Sequence, residues 1–273
     1  MSFPDLTLAN WQDTRDTIHA YAQVIGDVRK QLTPKQKQWW HISLRATAEG
    51  LTTLPMLVGH KTVELKFNYF THELRLRSSI GEEDFISLDG QSVKDFSDEL
   101  VEILSDVGAE ITIKPEFLAD DKSRVYNDTA VESFWEALSQ IDQMFKAFKA
   151  GFRGESSPVQ LWPHHFDLAV VWFSGRLIPD QDPTNADYAD EQMGFGFSTG
   201  DDYIADPYFY ITAYPWPDGL IGSPLPAEAY WMTDGLTAAI LPYAAPTESD
   251  DPYGLVASYL DAAFSAGSNL MQS

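Results

Sequence analysis

The sequence predicts an α+β protein built from two similar halves, each a mainly antiparallel sheet with flanking helices. Three observations carry this. Long amphipathic helices open near residues 11 and 129, the period changes to two after each of them, and a second helix closes each stretch.

The first helix runs from about Trp11 to Leu32, with Trp11, Thr14, Ile18, Tyr21, Ile25, Val28 and Leu32 three or four apart along one face. Asn10 is placed to cap it, and Thr33-Pro34 stops it. Val63, Leu65, Phe67 and Tyr69 then alternate, with Leu74 and Leu76 beyond a turn, which is a hairpin pattern. A second helix starts at Ser92, buries Phe96, Leu100, Ile103, Leu104 and Val107, and stops at Gly108. Ile111 and Ile113 read as a short strand. The third helix spans about Thr129 to Phe152, with Thr129 and Glu132 as a capping box, and the last begins at Asp251-Pro252 and ends near Gly267. Strands are expected at 165–174, 193–198, 207–214, 228–232 and 237–241. The stretches 178–192 and 215–227, rich in Pro, Asp and Gly, read as irregular.

Local sequence echoes this order. Trp40-His41-Ile42-Ser43-Leu44 leads to Gly50-Leu51, and Trp162 with His165-Phe166-Asp167-Leu168 leads to Gly175-Arg176-Leu177. The expectation is one cooperating unit over 1–273 with repeat halves 1–127 and 128–273, an internal duplication. Its alternative is that helix–meander–helix order recurs by chance.

Composition narrows the function classes. The 273 residues include no cysteine, which excludes disulfides, zinc–thiolate sites, iron–sulfur clusters and a thiol nucleophile. Against 18 Lys+Arg stand 41 Asp+Glu, a formal charge of −23, which argues against nucleic-acid or anionic-membrane surfaces. After residue 150 the only such cations are Arg153 and Arg176. No window approaches 18 consecutive apolar residues, and Met1–Asp5 has neither a basic nor an apolar signal region, so a soluble cytoplasmic protein is expected.

Alternation through a strand from His41 places His41, Ser43, Arg45, Thr47 and Glu49 on one face. Imidazole, hydroxyl, guanidinium and carboxylate together are the parts of an acid–base or anion-binding site. A solvated strand face is the alternative. His165 and Asp167 share a face of the second strand by the same count. Trp40 and Trp162 would wall a pocket, and Arg176, so isolated among acids, is either an anion anchor or a salt-bridge partner. Candidate catalytic residues are therefore His41, Asp167 and His165, and candidate ligand-binding residues are Trp40, Arg45, Glu49, Trp162 and Arg176. Asp180, Asp182, Thr184 and Glu191 match EF-hand spacing, but Asn185 replaces the required glycine, so no metal site is assigned. The cofactor stays open. Two functions compete: a small-molecule-binding protein or enzyme using these groups, and an acidic module that docks a basic protein partner.

Thr33-Pro34, Trp39-Trp40-His41 and Ala48-Glu49-Gly50-Leu51-Thr52-Thr53 resemble the opening of a bacterial family catalogued as domain of unknown function 5996. Phe145-Lys146-Ala147-Phe148, Ser157-Pro158-Val159, Phe166-Asp167-Leu168-Ala169, Phe173-Ser174-Gly175-Arg176 and Ala213-Tyr214-Pro215-Trp216-Pro217-Asp218-Gly219 are similar to its second half. The resemblance spans nearly the whole chain, implies one cooperating unit of that length, and brings no activity with it.

Overall fold

A computed structural model describes residues 3–272. The fold is α+β, with two antiparallel sheets of six strands each. In chain order the elements are α1 (Gln12–Leu32), β1 (Arg45–Ala46), β2 (Leu51–Thr52), β3 (Met56–Val58), β4 (Lys61–Asn68), β5 (Glu73–Ser78), β6 (Glu83–Ser87), α2 (Val93–Asp106), α3 (Pro115–Leu118) and α4 (Asp128–Lys149). There follow β7 (Gln160–Trp162), β8 (Asp167–Leu177), β9 (Asp190–Ser198), β10 (Tyr208–Tyr214), β11 (Tyr230–Met232), β12 (Ala238–Pro242), α5 (Ala244–Glu248) and α6 (Pro252–Gln272). The order of long helix, six strands and closing helix thus occurs twice along the chain.

Two compact units divide the chain. The N-terminal unit comprises Ala9–Trp135 and Gln160–Phe166, and the C-terminal unit Met1–Leu8, Glu136–Val159 and Asp167–Ser273.

In the N-terminal unit the sheet runs β1-β2-β4-β5-β6, with β3 on β4. The register sets Leu65 against Leu76 and Leu74 against Ile86, so one face carries a continuous apolar row. Those side chains are buried with Ile18, Tyr21, Ile25 and Val28 of α1 and Phe96, Leu100 and Leu104 of α2. Each such burial contributes about 1.5–3 kcal/mol. The Tyr21 and Phe96 rings stack at 4.3 Å and tie α1 to α2. Ser92 caps α2 by accepting from the Asp95 N–H at 3.0 Å, as its sequence predicts, and Gly108 adopts the left-handed stop at φ 78°.

In the C-terminal unit the strand order is β11-β12-β10-β9-β8. Phe197 pairs with Phe209 and Phe195 with Ile211, while the alternate residues Gly196 and Tyr210 pair on the other face. The phenylalanine face meets the helices: Phe264 of α6 lies 5.9 Å from Phe195 and 5.2 Å from Trp172. On the other face Gly196 is required by contact, since a Cβ there would lie 2.1 Å from Tyr210 Cζ.

Several sequence expectations give way to local physics. Residues 37–42 are not the start of a strand but a kinked 3-10 segment, and β1 covers Arg45 and Ala46 alone. The cause is backbone: Gln38 (φ 47°) and Trp39 (φ 61°) both sit in the left-handed region. His165 lies in the turn before β8, closed by the Phe166 N–H donating to Trp162 C=O at 2.8 Å, so it shares no strand face with Asp167. Residues 111–113 form no strand. Asn127 caps α4 rather than Thr129, accepting from the Ala130 N–H at 3.0 Å. Asn10 belongs to a 3-10 turn and gives α1 no side-chain cap.

Gly26 of α1 is where close packing excludes a side chain: a Cβ would stand 2.8 and 2.9 Å from Cβ and Cγ of Pro163. Helix propensity alone would favour alanine there by about 1 kcal/mol. Overpacking a rigid pyrrolidine ring costs about 1–3 kcal/mol. Gly26→Ala is therefore expected to lower stability by roughly 1 kcal/mol, read as a reduced urea midpoint at unchanged slope. A raised midpoint would contradict the packing argument.

Candidate functional site

The C-terminal half of α1 builds the site. Gly26 faces Pro163 and Ile42 C=O, and Arg29 and Thr33 follow at i+3 and i+7 on that face. Arg29 is only 5% exposed. Its Nε and Nη1 are buried without a hydrogen-bond partner, as is Thr33 Oγ1. Burial first, and the Arg45 guanidinium second, push the Arg29 pKa down from 12.5 to about 10. Such depression of an arginine is expected only where no acid compensates the charge.

Pro34 holds Thr33 extended (φ −125°, ψ 134°), which ends α1 and sends the chain back along it. The left-handed pair Gln38 and Trp39 costs about 1–2 kcal/mol per residue. It lays the Trp39 ring on His41 at 5.4 Å. His41 is 2% exposed, and its Nδ1 accepts from the Gln36 N–H at 3.2 Å, which puts the proton of the neutral ring on Nε2. Lys35 and Lys30 reach over the Trp39 ring, with Nζ 4.7 and 5.4 Å from its centroid.

Paired backbone bonds between Leu44 and Leu161, at 2.8 and 2.9 Å, bring Gln160 beside Ser43 and Arg45. Arg45 Nη1 donates to Ser43 Oγ and to Gln160 Oε1, both at 2.7 Å. Ser43 Oγ also lies 2.7 Å from Trp40 C=O and 2.8 Å from Gln160 Oε1. With a single hydroxyl proton, Ser43 serves Trp40 while Arg45 serves Gln160 Oε1. That fixes the Gln160 amide, whose Nε2 is buried and has no acceptor. Buried guanidinium and amide donors of this kind can hydrogen-bond to an oxyanion.

A family model described as "Family of unknown function (DUF5996)" matches residues 3–273. The chain belongs to this family. No curated protein and no solved structure matches it. The function of this DUF5996 chain has to be read from its own residues.

The predicted residues fall in both units. His41, Trp40, Arg45, Glu49, Trp162 and His165 are in the N-terminal unit. Glu49 there pairs with Lys66, which holds its carboxyl below the usual range. Asp167 and Arg176 are in the C-terminal unit. Asp167, 7% exposed, accepts from the Tyr210 hydroxyl, and burial followed by Asp167 keeps that phenol well above its ordinary pKa. Arg176 donates through Nε and Nη2 to Glu191 at 3.2 and 3.3 Å, and Glu191 also accepts from Ser174. Among the described residues no group of three or more His, Cys, Asp or Glu side chains is placed to hold a metal ion. No described helix is long and apolar enough to cross a membrane.

Sequence reasoning missed Arg29, Thr33 and Gln160. A signal for the first two was present: residues 28–48 contain Arg29, Lys30, Lys35, Lys37 and Arg45 and no acid, inside a chain of charge −23.

A second polar cluster lies along α1. His19 Nε2 donates to His164 C=O at 3.1 Å and its ring stacks on Phe166 at 5.2 Å, while the His164 and His165 rings stand 4.4 Å apart. Partial loss of hydration, then His165 and His19, lower the His164 pKa from 6.5 to about 4, and because the residue as a whole is exposed, solvent screening reduces what this shift contributes to stability. The unfolded chain then binds the extra proton between these values. The contribution to stability is complete above about pH 6.5 and is lost as pH falls toward 4. His164→Gln is expected to lose less melting temperature than the parent between neutral pH and about pH 5. Parallel melting curves across that range would show that His164 carries no such linkage.

Proposed function

We propose that this protein binds a small anionic molecule in its N-terminal unit, through the guanidinium groups of Arg29 and Arg45 with the amide of Gln160 as a third donor. One observation carries the reading: Arg29 is 95% withdrawn from water, yet two of its guanidinium nitrogens have no acceptor. A buried donor without an acceptor costs about 1–3 kcal/mol, and more when charged. A fold keeps that cost where a ligand relieves it. Trp39 supports Lys30 and Lys35 at the end of the same helix.

The reading separates binding from stability. Arg29→Met preserves much of the volume and removes the unpaired charge, so the ligand-free protein should gain about 1–3 kcal/mol. The same substitution should abolish the rise in melting temperature that an anion gives the parent. Thermal melts of both proteins, with and without phosphate and acetate, check this. A variant that loses stability yet keeps the parent's anion response would refute the assignment.

A further inference from the structure

We propose that the loop 215–227 and the adjoining edge strand β11 dock an arginine-bearing segment of a partner protein, on a surface centred on Trp216 and Trp231. The surface lies wholly within the C-terminal unit and does not depend on the Arg29 reading. The loop carries four prolines, yet the fold anchors it firmly. Leu220 is fully buried against α6, where a Cβ added at Gly267 would lie 3.7 Å from its Cδ1. Two turns surround it: the Leu220 N–H donates to Pro217 C=O at 3.2 Å, and the Ser223 N–H to Leu220 C=O at 3.0 Å. Ser223 C=O accepts from Trp231 Nε1 at 2.9 Å, which fixes the indole of β11, the outermost strand of its sheet. Trp216 meets that indole at 6.2 Å, with the ring planes at 80°. Both indoles stay partly exposed, and Ile221, two residues before Ser223, is 47% exposed. A rigidly held aromatic pair left partly in water is the kind of anchor that protein interfaces use.

Charge selects the partner. From Leu177 to Ser273 the sequence carries fifteen Asp and Glu and no Lys, Arg or His. Three of these acids flank the indoles: Asp218 follows Trp216 by two residues, and Glu228 and Asp234 stand three residues either side of Trp231. That spacing keeps each within about 11 Å of its tryptophan along the backbone. All three are exposed, and among the described residues no cation pairs with any of them. Nucleic acid and anionic membrane are repelled by such a surface. Arginine suits both of its parts at once, because a guanidinium stacks on an indole while its N–H groups reach carboxylates. A lysine ammonium lacks that planar fork. The acids are distributed over the loop and both ends of β11, so a polypeptide carrying several cations matches them better than one small cation does.

Fluorescence anisotropy on the full chain, at about pH 7.5 in low salt, tests this with labelled, end-blocked peptides of four Gly-Arg, Gly-Lys or Gly-Glu repeats. The arginine peptide is expected to bind at least ~3-fold more tightly than the lysine peptide, and the glutamate peptide not to bind. Trp216→Leu should weaken the arginine peptide at least ~3-fold, and Asp218→Asn, an exposed change that spares the fold, should weaken it about 2-fold or more. Glu248→Gln is the control for general acidity. Its helix α5 follows Pro242, which pairs with Tyr208 at the start of β10, whereas Trp216 lies beyond Tyr214 at the other end. It should leave binding unchanged. An arginine peptide that keeps its affinity in both Trp216→Leu and Asp218→Asn, or loses as much in Glu248→Gln, overturns the surface. A lysine peptide bound as tightly overturns the arginine preference, and tetramethylammonium bound more tightly than the arginine peptide overturns the protein partner in favour of a small cation. Binding of none of these probes overturns the proposal outright.

Discussion

Leu44 and Leu161 are 117 positions apart, and each donates its backbone N–H to the other's carbonyl, with both side chains fully buried. Closing a connection of that length has an entropic cost that grows only slowly with length, so a few well-buried contacts suffice to hold it. Everything at the candidate site depends on that closure. It sets Gln160 against Ser43 and Arg45, and it starts the run that carries Pro163 onto Gly26 and the His164 carbonyl to His19 and Gln23. Each of those contacts is local to α1 or to the segment just after it. The segment 160–166 acts as a strap along one helix face, and the polar groups it brings are held by packing rather than by flexible loops.

The energetics of this arrangement run against stability at one place. The core of the N-terminal unit is ordinary: leucines, isoleucines and aromatics from α1, α2 and the sheet, buried and in register. Arg29 lies among the buried residues of α1, next to Val28 and three residues after Gly26. Its place three residues from the helix end offers some relief, since the carboxyl end of the helix dipole favours a cation. That interaction is worth about 0.3–1 kcal/mol, less than an unmet buried guanidinium costs. Gln38 and Trp39 add backbone strain in the same neighbourhood. Two independent costs within ten residues of sequence are hard to place in a segment that serves packing alone.

How far this was legible in the sequence depends on the element. The helices were, because a 3.6-residue apolar stripe, Ser92 as a cap, Gly108 as a stop and Asp251-Pro252 as a start each act locally, and Gly254 N–H does bond to Asp251 at 3.0 Å. The β4–β5 hairpin and the five C-terminal strands were, because buried alternation fixes both register and face. The strand expected from His41 was not, because its polar–apolar alternation is a property of composition, and left-handed φ values at two non-glycine residues leave no trace in a pattern. His165 was misplaced for a similar reason: a four-residue turn closed by Phe166 interrupts what reads as one extended run. Arg45 was found for the right chemistry on the wrong element. Arg29 was hidden by the stripe itself, since the eye follows Ile25, Val28 and Leu32 and assigns the arginine between them to solvent.

The negative charge of the chain does not conflict with an anion site. At physiological ionic strength the Debye length is about 8 Å, so carboxylates further off are largely screened at the surface. Buried pairs are screened much less, and there the identity of the nearest charge decides. At Arg29 the charge whose field lowers the pKa is that of Arg45, and from residue 28 to residue 48 the sequence contains no acid. Capture of an anion by such a site gains little from long-range attraction and much from desolvated, directed hydrogen bonds. Selectivity at a site of that kind follows from the geometry of its donors rather than from the net charge of the chain.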